Sequence, residues 1–381
     1  MLTMGRLSLL LVAFLALTAL SACAAEEKAT PAPASPAAGA RPTWEQEWDT
    51  VLAAAKKEGK VTVTAPAGSE TTRALTEPFE KRFGIKVELI QGATNEVVAR
   101  IKTERAAGQY LWDIYLGGHT DVFCCIAPDG MLDPLEPALI LPEVKDPKNW
   151  MGGALDFIDK DKTALLTLSA TSPILYINTN LVQPGEIKSW KDLLDTKWKG
   201  KIVTNDPRVG GPGRSAWVLL YATKELGPDF IRQLGGLNLP LIRGRGGAEN
   251  DLAQGKYSIC FGCGQSYITP LMDQGLPVAP VDPKQIKEGA AFLTGGAGVV
   301  ALYNKAPHPN AAKVFINWFL TKEGQTEYAR SRDLGSRRLD VSADWLKPFA
   351  IPDMRWWDSY SQEGNEMATK MDPVLKEVLR D

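Results

Sequence analysis

From Trp44 onward, helix-like and strand-like apolar spacings alternate along the chain, and this alternation limits the fold more than any other feature. Trp48, Val51, Leu52 and Ala55 recur at helical spacing up to Gly59, and Lys60 to Thr64 then alternates as a strand. A loop from Ala65 to Gly68, a helix from Ser69 to Phe83 and a strand from Ile85 to Ile90 complete a β-α-β unit. The pattern repeats with a loop at Gln91 to Thr94, a helix from Asn95 to Ala107, a strand from Trp112 to Leu116, and then Gly117-Gly118. A second series runs through Leu175 to Asn178, Ile202 to Asn205, a helix Arg214 to Leu226 and a strand Tyr257 to Phe261. Val299 to Tyr303 resumes a strand and Ala311 to Leu320 a helix. Strands separated by helices predict an α/β fold with mostly parallel sheets, whose carboxyl-end loops form the ligand crevice. At 381 residues the chain has room for roughly two lobes.

Composition removes several classes of function. Lys+Arg 43 against Asp+Glu 45 leaves a net charge of -2, with no basic run to track a phosphate backbone, so nucleic acid is not an expected partner. The two histidines, His119 and His308, cannot assemble a His-rich metal centre. No Gly-x-Ser-x-Gly elbow or Walker loop stands out, and the expectation is a protein that is not an enzyme and holds no cofactor.

The amino-terminal segment reads as an export signal. Arg6 precedes an apolar run from Leu7 to Leu20, too short to span a bilayer, and Leu20-Ser21-Ala22-Cys23 follows. That tetrapeptide resembles the bacterial lipobox, which implies that residues 1–23 are a lipoprotein signal and Cys23 a lipid anchor. The alternative is an ordinary secretory signal with a cysteine near the cut. Residues 24–43, rich in Ala and Pro, have too little apolar surface to fold and read as a tether.

Five segments carry a resemblance to a known family. They are Phe79 to Val87 (FEKRFGIKV), Trp112 to Tyr115 (WDIY), Ile174 to Asn180 (ILYINTN), Ser189 to Ile202 (SWKDLLDTKWKGKI) and His308 to Gln325 (HPNAAKVFINWFLTKEGQ). In this order, behind a lipobox, the sequence resembles the bacterial extracellular solute-binding proteins of ABC importers, in the group that includes ferric-ion binders. The resemblance implies a two-lobed periplasmic-binding fold of type II, each lobe a mostly parallel sheet flanked by helices. Crossovers near Leu168 to Ile174 and Val281 to Gly295 would hinge the lobes. Residues 44–172 plus 281–335 would form the first lobe, and 173–280 plus 336–381 the second. It further implies an extracytoplasmic, membrane-anchored monomer that closes on a small-molecule ligand and hands it to an ABC permease.

Ligand contacts should come from strand-end loops of both lobes. In the first lobe these are Ser69, Glu70, Thr94, Asn95, Gly118 and His119, with Ser69 and Thr94 or Asn95 as natural helix caps. Thr171, Ser172 and Gly296 join them from the crossovers. In the second lobe the glycine-rich run Asn205 to Ser215 carries Asp206, Arg208, Arg214 and Ser215, and Arg243 and Arg245 lie on another glycine-rich turn. Guanidinium groups on such loops favour a carboxylate, phosphate or phosphonate. The competing reading makes each arginine a surface charge or a partner of Asp206 or Glu249. Gln265, Ser266 and Tyr267 offer neutral hydrogen-bonding groups for an organic ligand.

Ferric iron bound with a synergistic anion is the alternative ligand. By register with the family, the iron ligands would fall near Gly68, Gly118 and Gln265-Ser266, leaving Tyr267 alone nearby, so no metal set is expected. Cys260 and Cys263 are close enough for a local disulfide, whereas adjacent Cys124 and Cys125 are expected not to bond each other. A thiolate site for a soft metal, or a thiol redox protein, is the rival of another class; the CxxC follows a strand rather than opening a helix, which argues against redox catalysis. The aromatic run Trp356 to Tyr360 should pack a terminal helix onto the second lobe.

Overall fold

The first helix shows how local chemistry sets the frame. In the computed structural model, the Thr43 side chain accepts from the Gln46 amide and Gln46 returns a bond to the Thr43 amide, a reciprocal capping box that starts α1 (Trp44–Glu58). Gly59, at φ 76, stops it and turns the chain into β1 (Lys60–Ala65). The structure describes residues 43–92, 94–243 and 246–379, with Thr94 and Asn95 described by backbone only. The signal segment, Cys23, the tether up to residue 42 and Arg245 lie outside the described residues.

The helix α2 (Ser69–Phe83) ends at Gly84 and leads into β2 (Lys86–Gln91), which pairs parallel with β1 from Lys60↔Lys86 to Ala65↔Gln91. Next come α3 (Thr94–Ala106), β3 (Ile114–Gly117), a short α4 (His119–Asp121), a π-helical turn Val122–Ile126, β4 (Leu132–Asp133), α5 (Pro142–Lys145), β5 (Asp156–Phe157) and β6 (Ala164–Leu166). β7 (Leu168–Pro173) carries the chain out of this region into β8 (Leu175–Asn178), β9 (Ile202–Asn205), α6 (Pro212–Ala222), α7 (Gly227–Gly235) and β10 (Leu241–Ile242). α8 (Gly247–Ala253), β11 (Ile259–Phe261), α9 (Gln265–Asp273) and β12 (Val278–Pro280) follow. β13 (Ala291–Thr294) returns the chain to β14 (Val299–Tyr303), α10 (Pro309–Phe319) and α11 (Lys322–Ser331); β15 (Gly335–Ser336), β16 (Trp357–Asp358) and α12 (Gln362–Val378) complete the order.

Three sheets result. The first lobe holds a seven-stranded sheet with the path β2-β1-β3-β14-β6-β5 and β4 on β14; the second holds the five strands β10-β9-β11-β8-β12. Both are mixed rather than mostly parallel, because β14 and β8 arrive from the crossovers and pair antiparallel with their neighbours. The crossovers β7 and β13 pair antiparallel with each other, from Ala291↔Pro173 to Thr294↔Ala170, inside a four-stranded sheet β15-β7-β13-β16.

Each lobe has its own core. Phe79 packs against Phe315 and Trp318 in the first; Trp190 and Trp217 pack against Phe261 in the second. The tail divides between the two cores. Trp345 Nε1 donates to the Leu334 carbonyl and buried Arg338 donates to the Leu320 carbonyl, which keeps this stretch on the first core. Trp357 and Asp358 join β13, Tyr360 packs with a first-lobe cluster, and the second core gains Met371, Val374 and Leu375 of α12. The segment from Ile351 through the aromatic run is thus a strap across the crossover sheet, because Ile351 and Asp353 bond to Thr171 of β7 and the backbone of Trp357 and Asp358 pairs with β13.

Candidate functional site

In the first lobe the strand-end loops are largely self-satisfied. Gly68, not Ser69, occupies the N-cap of α2, at φ 146 and without a side-chain cap. Ser69 is exposed in the first turn and Glu70 pairs with Arg73. After β3, the Tyr115 hydroxyl donates to the Gly118 carbonyl at 2.8 Å and reaches Asp121 at 3.1 Å. Burial pushes the Asp121 carboxyl above its ordinary range. The His119 ring lies 3.9 Å from that of Tyr360, whose hydroxyl donates to the Gly296 carbonyl at 2.5 Å. Burial lowers the His119 imidazole to about 4, so it is neutral near pH 7. Thr171 is spent on the strap, donating to the Ile351 carbonyl at 2.8 Å and accepting from the Asp353 amide at 3.1 Å. Ser172 is buried in β7 opposite Phe292.

The second lobe is built differently. Fully buried Asp206 accepts from Arg208 Nε and Nη2 at 3.0 and 2.9 Å and from Arg243 Nε at 2.7 Å. Burial alone would raise this carboxyl, but the hydrogen bonds from Arg208 and Arg243 outweigh it and hold it at about 2. Two guanidinium groups therefore share one negative charge beside the loop that opens α6. Arg214 is placed otherwise than expected. It pairs with Asp372 of α12 at 2.8 Å and donates to the Pro207 and Ala368 carbonyls, because α12 packs across α6. Ser215 sits in the first turn of α6, its amide bonded to the Gly211 carbonyl at 3.1 Å.

Glycines let the loops interlock. A Cβ on Gly213 would lie 2.5 Å from the Asn205 carbonyl, and one on Gly262, at φ +70, would lie 2.9 Å from Gly213 Cα. One on Gly264 would lie 3.2 Å from Pro212. The N-termini of α6 and α9 thereby come together, and neither has a side-chain cap. Tyr267 places its ring against Gly264 and Gly246, Ser266 is exposed, and Gln265 keeps Oε1 buried without a partner. The Cys260–Cys263 disulfide closes this turn, as expected.

Cys124 and Cys125 are bonded to each other, contrary to expectation; they lie in the π-helical turn Val122–Ile126, where the backbone departs from regular α geometry. Sequence reasoning passed over Asp121, read Tyr360 as packing and Glu249 as at most an arginine partner, and gave Asn205 no role of its own in the loop it opens. Their roles come from contacts between segments that no local spacing announces. Among the described residues no three His, Cys, Asp or Glu side chains gather as metal ligands, and no helix is long and apolar enough to cross a membrane.

The family described as bacterial extracellular solute-binding protein matches residues 74–350. The chain belongs to this family. Such solute-binding proteins work outside the cytoplasm, binding small ligands and delivering them to ABC permeases. This solute-binding protein is 26% identical to iron uptake protein A1 of Synechocystis over 288 residues, 68% of this chain and 71% of that one. The fold is shared with solved structures at TM-scores of 0.62 for Trichodesmium IdiA (FutA) in complex with iron and citrate and 0.59 for Actinobacillus pleuropneumoniae AfuA with fructose-6-phosphate bound. These are 20% and 18% identical, with 83% and 84% of this chain and 99% of each of those chains covered. The two-lobed periplasmic-binding fold is thus the architecture of this chain.

Proposed function

We propose that this solute-binding protein captures a small anionic solute of the carboxylate, phosphate or phosphonate class between its lobes and releases it to its permease. One observation carries the reading: two uncapped helix starts, of α6 and α9, meet beside the Arg208 and Arg243 pair that Asp206 holds. Unsatisfied amides at helix starts and a fixed guanidinium both attract oxyanions. Lobe closure then excludes water and strengthens each contact, and no bond of the solute is made or broken. Cys23 would anchor the body to the membrane through residues 24–43.

Iron with a synergistic anion is the competing solute, and one experiment separates the two. Thermal unfolding of the purified protein is followed with citrate, inorganic phosphate, methylphosphonate or ferric chloride alone. A rise of the midpoint with an anion alone, lost in Arg208→Gln, is the expected outcome. A rise that requires ferric iron, with a visible charge-transfer band, overturns it.

A further inference from the structure

Beneath the second lobe's loops lies a carboxylate that the sequence offers only as a possible arginine partner and that the proposed function does not use. Glu249, on α8, is fully buried. Its Oε1 accepts from Asn205 Nδ2 at 2.9 Å and from the Gly264 amide at 2.7 Å. Asn205 Nδ2 also donates to the Gly262 carbonyl at 3.0 Å. One acceptor atom therefore ties the end of β9, where the loop leading to α6 begins, to the residue that caps α9. Glu249 Oε2 and the Tyr176 hydroxyl are both buried without a partner, and the nearby carboxylate adds to the burial that raises the Tyr176 phenol.

A buried carboxylate met by two neutral donors is a costly choice, and stability alone favours an apolar side chain there. Its charge also has the wrong sign to attract an anion. What it does supply is a single acceptor that fixes two loops relative to each other.

We infer that Glu249 is a positioning residue for solute binding: through Oε1 it holds the β9–α6 loop and the turn before α9 in the register that lets both helix starts present their amides to one ligand. The ligand part of this inference rests on the proposed anion site, whereas the loop-holding part stands alone. If geometry is the contribution, glutamine, which keeps an Oε1 acceptor and removes the charge, restores what alanine loses.

The test compares the parent protein with Glu249→Ala and Glu249→Gln by amide hydrogen exchange over residues 202–215 and 259–268, with citrate and inorganic phosphate affinities measured by calorimetry. Expected in Glu249→Ala are roughly tenfold faster exchange confined to these two segments and roughly tenfold weaker anion binding, both recovered to within about threefold in Glu249→Gln. Unchanged exchange in Glu249→Ala overturns the inference, and so does a glutamine variant that behaves like the alanine one. A general rise in exchange over the whole lobe marks a merely structural role and also overturns it. If Glu249→Ala does not fold, Asn205→Ala cuts one of the two ties, and exchange must then rise in residues 205–211. A parent that binds neither anion defeats the anion reading, while the exchange comparison still decides the role of Glu249.

Discussion

The two candidate walls of this solute-binding protein spend their polar groups in opposite ways. In the first lobe, Tyr115 donates to Gly118, Tyr360 donates to Gly296 and covers His119, and Thr171 is consumed by the strap. In the second, glycines at 213, 262 and 264 bring two helix starts together with no side chain capping either, and a buried aspartate sets two guanidinium groups beside them. The first surface spends its polar groups on itself; the second leaves two helix starts without a side-chain cap. On the proposed reading, charge recognition falls to the second lobe and shape selection to the first.

The largest test of that contrast is Asp206→Ala. Both guanidinium groups lose their shared carboxylate, and a loss of about 3 kcal/mol is expected in chemical denaturation, with anion binding abolished in calorimetry. The same carboxylate gives the parent an acid signature. Because its folded pKa, about 2, lies below the ordinary 3.8, its stabilisation is full above about pH 4 and fades as pH falls toward 2. Denaturation midpoints of parent and variant should converge over that window.

Glycine replacements sharpen the contrast at smaller scale. Gly213→Ala drives a methyl against the Asn205 carbonyl and should cost about 2 kcal/mol, whereas a Cβ at Gly118 meets its nearest atom at 3.7 Å. Gly118→Ala should therefore change stability by less than about 0.5 kcal/mol in the same denaturant titration. Equal effects at the two positions would show that the close approach at Gly213 costs nothing.

A further test, read in the pH dependence, concerns His119. Its folded pKa, about 4, lies below the ordinary 6.5, so the unfolded chain binds the extra proton first and stability drops as pH falls from 6.5 to 4. His119→Phe should flatten this slope by about 3 kcal/mol across the window. The raised Asp121 carboxyl acts in the opposite direction in both proteins, so the difference between them reports on His119. An unchanged slope would show that the ring is not sealed by Tyr360.

Much of the fold was legible because its punctuation is local. Gly59 and Gly84 stop α1 and α2 at the residues where the helical spacing ends, and the helix read at about Ser69 to Phe83 is α2. The helix expected from Arg214 to Leu226 instead ends at Ala222, where Thr223 turns extended, and a separate helix, α7, begins beyond it at Gly227-Pro228. The site was legible only as loops. Asp206, Arg208 and Arg243 were visible as charges on glycine-rich turns, and their pairing was one of two readings left open. Arg214 takes a partner, Asp372, that arrives with the terminal helix and that no local spacing announces. Glu249 was seen only as a possible ion-pair partner, since one of its two donors is a backbone amide and amides have no signature in a sequence.

The two crossover strands are not independent tethers. Four residue pairs, Ala291↔Pro173 to Thr294↔Ala170, knit β7 to β13, and β15 and β16 flank them. A joint of this kind bends as one ribbon and resists sliding, since slippage would break several bonds at once while a small twist breaks none. Every closing stroke should then return the jaws to the same alignment, and a guest of the wrong outline is turned away by a mismatch that the joint will not absorb.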